Sequence, residues 1–285
     1  MTSPSISKNP FGRTGQPVTI VGLGGEGVLR TQGRGEEATT VIEEAFAAGI
    51  TYFESARAYA GSEGYYGLVW PKHKAERQNL FQTSKSAMRG KKGALSDLHA
   101  TLTNMRLEYL DLWQIHDVRT EDDLEAIAGP GGALEAFVQA KAEGKVRFIG
   151  VTGHHDPAIL TRAVREWPLD SVLMPVNPIE GVLGGFLDTT LPAAEVKGMA
   201  IIAMKVLGAS HYLFPDAGIT PEILIRYALS HPVTLAVVGC SSVHEVRTLA
   251  HVGQDFVPMS PDEMKKVEEL FAPHAQKLAF YRGTL

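Results

Sequence analysis

Glu54, Tyr59, Lys85 and His116 are the residues of this chain whose types and spacing could together do chemistry on an oxygen. Each stands where an apolar run gives out. Glu54 follows Thr51-Tyr52-Phe53, with Tyr59 one loop turn later; Lys85 ends LFQTSK and His116 ends LDLWQIH. A phenol ordinarily titrates near ~10 and a nearby ammonium favours the phenolate, so Lys85 is expected to lower the pKa of Tyr59 until it donates a proton near neutral pH. A carboxylate at Glu54 would keep Lys85 charged and aimed, and the imidazole of His116 would hydrogen-bond a carbonyl oxygen and orient it. The set suits protonation of an oxygen that becomes negative as hydride arrives. A surface Glu and a half-buried Tyr are the commoner meaning of any one such pair, so the rest of the chain must bring all four together.

The elements that would do so are legible as apolar runs alternating with segments of helical period. Eight runs read as strands: Thr19–Gly24, Thr51–Ser55, Leu80–Lys85, Leu110–His116, Phe148–Gly153, Ser171–Asn177, Ala200–Lys205 and Thr234–Gly239. Helical patterns fill the gaps, as in Glu36–Ala48 and Leu95–Met105. Eight strand-helix units with short connectors and no Pro/Ser-rich linker predict a (β/α)8 TIM barrel, an α/β fold in which residues 1–285 form one domain. Loops leaving the carboxyl ends of such strands build active sites, and all four residues lie there. Phe11–Val18, with Thr14-Gly15 at its centre, predicts a hairpin closing the barrel floor. Ser260–Phe271 opens with a Ser cap, Pro and acids, which predicts a C-terminal helix, whereas Leu278–Leu285 shows no regular pattern.

Composition narrows the partners. The net charge of −5 is scattered rather than blocked, so neither nucleic acid nor an anionic membrane is expected. A lone cysteine, Cys240, forms no intramolecular disulfide and no all-cysteine metal cage. The first residues lack a signal-peptide core and no apolar run is long enough to span a bilayer, so a cytoplasmic protein is expected. Gly22-Leu-Gly24-Gly-Glu-Gly27 matches the G-x-G-x-x-G dinucleotide pattern, yet Val28–Gly35 has little helical period where the pyrophosphate-binding helix should begin. These glycines read instead as a first-strand loop with close backbone approach. His154-His155-Asp156 resembles a metal cluster only superficially, because adjacent residues rarely point at one ion; no metal site is expected.

The chain resembles the aldo-keto reductases, from the FGRTG hairpin through the eighth strand. TYFESARAYAGSEGYYG resembles the family's second-strand signature, LFQTSK carries its lysine, YLDLWQIHD resembles its histidine motif, and GKVRFIGVTGH resembles the segment entering strand five. The resemblance implies that Tyr59 is the proton donor, Lys85 its pKa modulator and His116 the substrate orienter. It also implies hydride transfer, without a metal, between a nicotinamide across the barrel mouth and a small aldehyde, ketone or alcohol. Departures accompany it: Glu54 stands where Asp is usual, Thr152-Gly153-His154 where Ser-Asn meets the carboxamide, and Asn177 is the amide nearest the missing Gln. Lys205 ends strand seven in place of an aromatic and is read as a pyrophosphate contact. Ser241, Ser242, Glu245 and Arg247 lie in or beside the expected phosphate loop, where Ser242 and Glu245 also form a capping box. NADP(H) follows from the resemblance; Glu245 would repel a 2′-phosphate and favours NAD(H), with Arg247 able to compensate. Two other readings stand beside this one: a cofactor-binding sensor or subunit with weak turnover, and a lyase or aldolase using Lys205 or Lys85 as a Schiff base. Neither the physiological substrate nor the oligomeric state is legible.

Overall fold

The structure, a computed structural model, describes residues 5–283. Two short strands, β1 (Lys8–Pro10) and β2 (Pro17–Thr19), pair antiparallel across a one-turn helix, Gly12–Thr14. Eight parallel strands follow: β3 (Val21–Gly27), β4 (Tyr52–Phe53), β5 (Phe81–Ser86), β6 (Leu110–Ile115), β7 (Val146–Thr152), β8 (Ser171–Pro175), β9 (Ala200–Met204) and β10 (Leu235–Cys240). They close in chain order, with β10 hydrogen-bonded to β3. Each of the eight apolar runs is one of these strands, and helices cover them outside, as a parallel sheet buried on both faces requires.

Alternation along each strand separates two apolar cores. Residues pointing outward, such as Phe53, Trp113 and Ile149, pack under the helices. Residues pointing inward, including Tyr52, Phe81, Leu112, Leu173 and Ile202, fill the barrel. The hairpin closes the floor by driving Phe11, fully buried, against Phe81 with ring centroids 4.7 Å apart. The hairpin is wider than its sequence signal, Phe11–Val18, because Phe11 leaves the ladder to become this plug.

The C-terminal helix runs from Pro261 to Phe271, where the Ser260 hydroxyl accepts the Glu263 N–H and Glu263 returns the bond to the Ser260 N–H. Beyond a short turn of helix, Ala275–Leu278, the chain folds back over the strand ends as far as Gly283. Leu285 and its neighbour Thr284 lie outside the described residues. No described helix is long and apolar enough to cross a membrane.

Candidate active site

The carboxyl ends of β4, β5 and β6 bring the four sequence-predicted residues together. Glu54 begins the loop after the two-residue strand β4, and its longer side chain reaches its target: Oε1 lies 2.5 Å from Lys85 Nζ. Its second oxygen accepts the Gly25 N–H at 3.1 Å. Both partners are nearly solvent-free, Glu54 5% and Lys85 1% exposed, so each charge depends on the other. Lys85 places its remaining protons on the Ser55 carbonyl at 3.0 Å and the Tyr59 hydroxyl at 3.4 Å.

Tyr59 owes its seat to a glycine. A Cβ on Gly25 would stand 2.5 Å from the phenol ring, so the G-x-G-x-x-G stretch serves here as the flat floor under the tyrosine. The Arg30 guanidinium lies 5.0 Å from the ring centroid, and the His116 ring meets the phenol edge-on with centroids 5.7 Å apart. The expected lowering of the Tyr59 pKa is corrected by this environment. Burial, together with the negative charges of Glu54 and Glu26, pushes it well above the ordinary tyrosine value. Lys85 is already neutralised by Glu54, which leaves little net positive charge for the phenol to feel. Tyr59 is therefore a phenol throughout the neutral range, ready to give a proton only to a strong base.

Burial, and next the positive charge of Lys85, holds His116 down to about 3, so its imidazole is neutral. Its backbone is clamped from a direction the sequence did not reveal. Arg89 donates to the His116 carbonyl at 2.8 Å and to the Asp117 carbonyl at 2.7 Å, while Asp123 takes its Nε–H at 2.8 Å. Asp117 adopts a left-handed conformation (φ 56°), and its N–H is accepted by Thr152 Oγ1 at 2.8 Å. Its carboxylate pairs with Arg119 at 2.6 Å and faces His154 Nε2 at 3.4 Å. Arg89, in the loop after β5, and Asp123, in the first turn of the helix Glu121–Ala128, become partners only because the fold packs that loop against that helix. Ser62 and Glu63 of the strand-two signature also act as scaffold. Glu63 accepts from Arg57, Ser84, Thr101 and Asn104 behind β5.

The presumed cofactor residues divide. Thr152 and His154 stand beside His116 at the mouth, although His154 Nδ1 is also within 3.2 Å of the Tyr281 carbonyl. Asn177 does not offer a free amide, which corrects its sequence assignment. It caps the helix Pro178–Leu183, its Oδ1 accepting the Ile179 and Glu180 N–H groups while its Nδ2 donates to the Lys205 carbonyl and the Tyr281 hydroxyl. Lys205, the residue after β9, adopts a left-handed conformation (φ 56°), a strained geometry for a residue with a side chain, and its charge is close enough to disfavour protonation of His154.

At the end of β10, Ser242 caps the helix Val243–Gln254 by accepting the Glu245 N–H at 3.3 Å. The Glu245 carboxylate turns back onto the Ser241 N–H at 2.6 Å. Arg247 points the other way, to Glu44 at 2.7 Å. Residues 279–283 were not assigned from sequence, yet Tyr281 and Arg282 both bond the buried carboxylate of Glu180 beside the mouth.

These groups fit a phosphate-bearing dinucleotide at the β9–β10 side. Glu245 shows that the helix N-terminus accepts an anionic oxygen. Lys205, Ser241 and Ser242 would hold such phosphates. An imine route is disfavoured at Lys85, whose ammonium is ion-paired and whose protons are all engaged.

Comparison with known proteins agrees with this geometry. The family model described as the aldo/keto reductase family matches residues 21–213. The L-galactose dehydrogenase of Arabidopsis thaliana is 27% identical over 94% of this chain and 95% of its own length. The D-galacturonate reductase of Fragaria ananassa is 27% identical over 75% of this chain and 70% of its own. The crystal structure of an aldo-keto reductase from Klebsiella pneumoniae in complex with NADPH superposes with a TM-score of 0.75 at 20% identity, covering 95% of this chain and 96% of that one. With a closed barrel, a Tyr-Lys-Glu-His rim and a family match across most of its length, the chain belongs to the aldo/keto reductase family.

Proposed function

We propose that this NAD(P)-dependent oxidoreductase reduces an aldehyde or ketone, or oxidises the corresponding alcohol, with Tyr59 as general acid or base at the oxygen. The observation that carries this reading is the Tyr59 hydroxyl held 3.4 Å from a buried Lys85 that is itself bound to Glu54 at 2.5 Å. A nicotinamide, when bound, supplies the hydride that bonds to the carbonyl carbon while the C=O π pair moves onto oxygen. Tyr59 then gives its O–H proton to that oxygen, and Lys85 faces the phenolate that forms. An alkoxide is a stronger base than a phenolate, so the transfer runs downhill even from a phenol whose pKa burial has raised. Neutral His116 contributes one N–H donor to the same oxygen and no competing charge.

The NADPH complex of the Klebsiella relative supports NADP(H), although Glu245 competes with any phosphate for the Ser241 N–H. The names of the L-galactose dehydrogenase and the D-galacturonate reductase make L-galactose and D-galacturonate sensible first compounds to test. Titration of the purified protein with NADPH and NADH, followed by a carbonyl panel read at the nicotinamide absorbance, tests the proposal. Saturable binding and turnover of one carbonyl class are expected. Failure to bind either cofactor would overturn it.

A further inference from the structure

The interior of the barrel, one layer below Lys85, is polar where a packed apolar core would be simplest. Gln114, Thr83, Ser171 and Tyr52 all point inward and are fully buried. Neither amide atom of Gln114 has a hydrogen-bond partner in the protein, and the Ser171 hydroxyl is likewise unpartnered. The strand register places Gln114 and Ser171 together. Gln114 is the ladder neighbour of Lys85 on one side and of Gly150 on the other, and Gly150 in turn faces Ser171. A Cβ on Gly150 would lie 2.2 Å from Ser171 Oγ and 3.3 Å from Gln114 Cγ, so both polar side chains converge on the place where that residue has no side chain. Thr83, two residues before Lys85 on β5, flanks the Tyr52 hydroxyl. Phe11, Phe81 and Phe148 seal the layer from below, and Glu54 with Lys85 lies above it.

Buried polar groups in native proteins are almost always hydrogen-bonded, and those without protein partners bind internal water when two to four of them converge. We infer that the Gln114 amide and the Ser171 hydroxyl form a binding site for internal water beneath Lys85, and that this water stabilises the buried Lys85–Glu54 pair. Lys85 gives its own protons to Glu54, Ser55 and Tyr59. The water therefore acts on the pair as orientable dipoles in an otherwise apolar interior, and not as a ligand of the ammonium. The other charged or titratable groups around Lys85 are Glu26 near the end of β3, Arg30 from the turn after it, Tyr59 from the loop after β4, and His116 from the end of β6.

Two measurements on the full chain test this. A crystal structure at a resolution that orders internal waters should show water bonded to the Gln114 amide and the Ser171 hydroxyl. Gln114 turned onto protein groups with no water density would overturn the site. Thermal melting of a double-mutant cycle then reads the coupling. Gln114→Leu should lower the melting temperature markedly in the parent and far less in a Lys85→Met background, and Gln114→Asn, which keeps an amide, should retain most of the coupling. Equal losses in both backgrounds would overturn the effect on Lys85. If Gln114→Leu fails to fold, Ser171→Ala serves in the same cycle.

Discussion

Glu54 shows at the level of one residue how a departure from a family pattern can keep an ion pair with the buried lysine. The extra methylene is accommodated because β4 is only two residues long and releases Glu54 directly into the loop, where Gly25 fixes one oxygen and Lys85 the other. Removing the charge while keeping the shape leaves Lys85 buried and unpaired, which costs about 3–5 kcal/mol. Glu54→Gln should accordingly melt well below the parent in a thermal scan, while Glu54→Asp, which retains a carboxylate, should lose less. A Gln variant melting with the parent would mean that Lys85 is neutral in the fold.

At the scale of elements, the strand ends were readable and their cross-connections were not. Each strand announced itself by a short apolar run, and Glu54, Tyr59, Lys85 and His116 stood at the ends of three neighbours. What composition and spacing could not give is which polar atoms are already engaged. Asn177 looked like a free amide but caps a helix, and Arg247 looked like a phosphate partner but pairs with Glu44. The turns that join Arg89 to the His116 carbonyl and Tyr281 to Glu180 depend on loops whose shape no local pattern encodes. The β10 loop carries its own test. Glu245→Gln weakens the competing anion at the Ser241 N–H, and Glu245→Arg replaces it with a cation. Both should tighten NADPH relative to NADH, by about tenfold for the Arg variant if the side chain gains one charge-assisted contact. Fluorescence titration with each cofactor measures the ratio; an unchanged ratio would place Glu245 away from the phosphate.

Across the whole molecule, burial of imidazoles ties stability to pH. Burial holds His116 down to about 3 and His231 down to about 4, against an ordinary value of 6.5, and lowers His154 as well. Between those values and about 6.5 the unfolded chain binds protons that the folded chain does not. Stability therefore rises with pH through that window and is lost as pH falls from about 6.5 towards 4. The melting temperature should decline steadily over this range. His231→Phe, at a site beside Tyr227 rather than at the mouth, should flatten the decline, and an identical slope would show that His231 is not held neutral.

The barrel also separates binding from chemistry. Dinucleotide contacts are assigned to the ends of β9 and β10, and proton transfer to the loop after β4. Tyr59→Phe, which keeps the ring over Gly25 and removes only the hydroxyl, separates the two. Steady-state reduction of the best carbonyl substrate at saturating cofactor should fall about 10²- to 10⁴-fold, with cofactor affinity nearly unchanged. A Tyr59→Phe enzyme that turns over within a few-fold of the parent would contradict the assignment of Tyr59 as the proton donor.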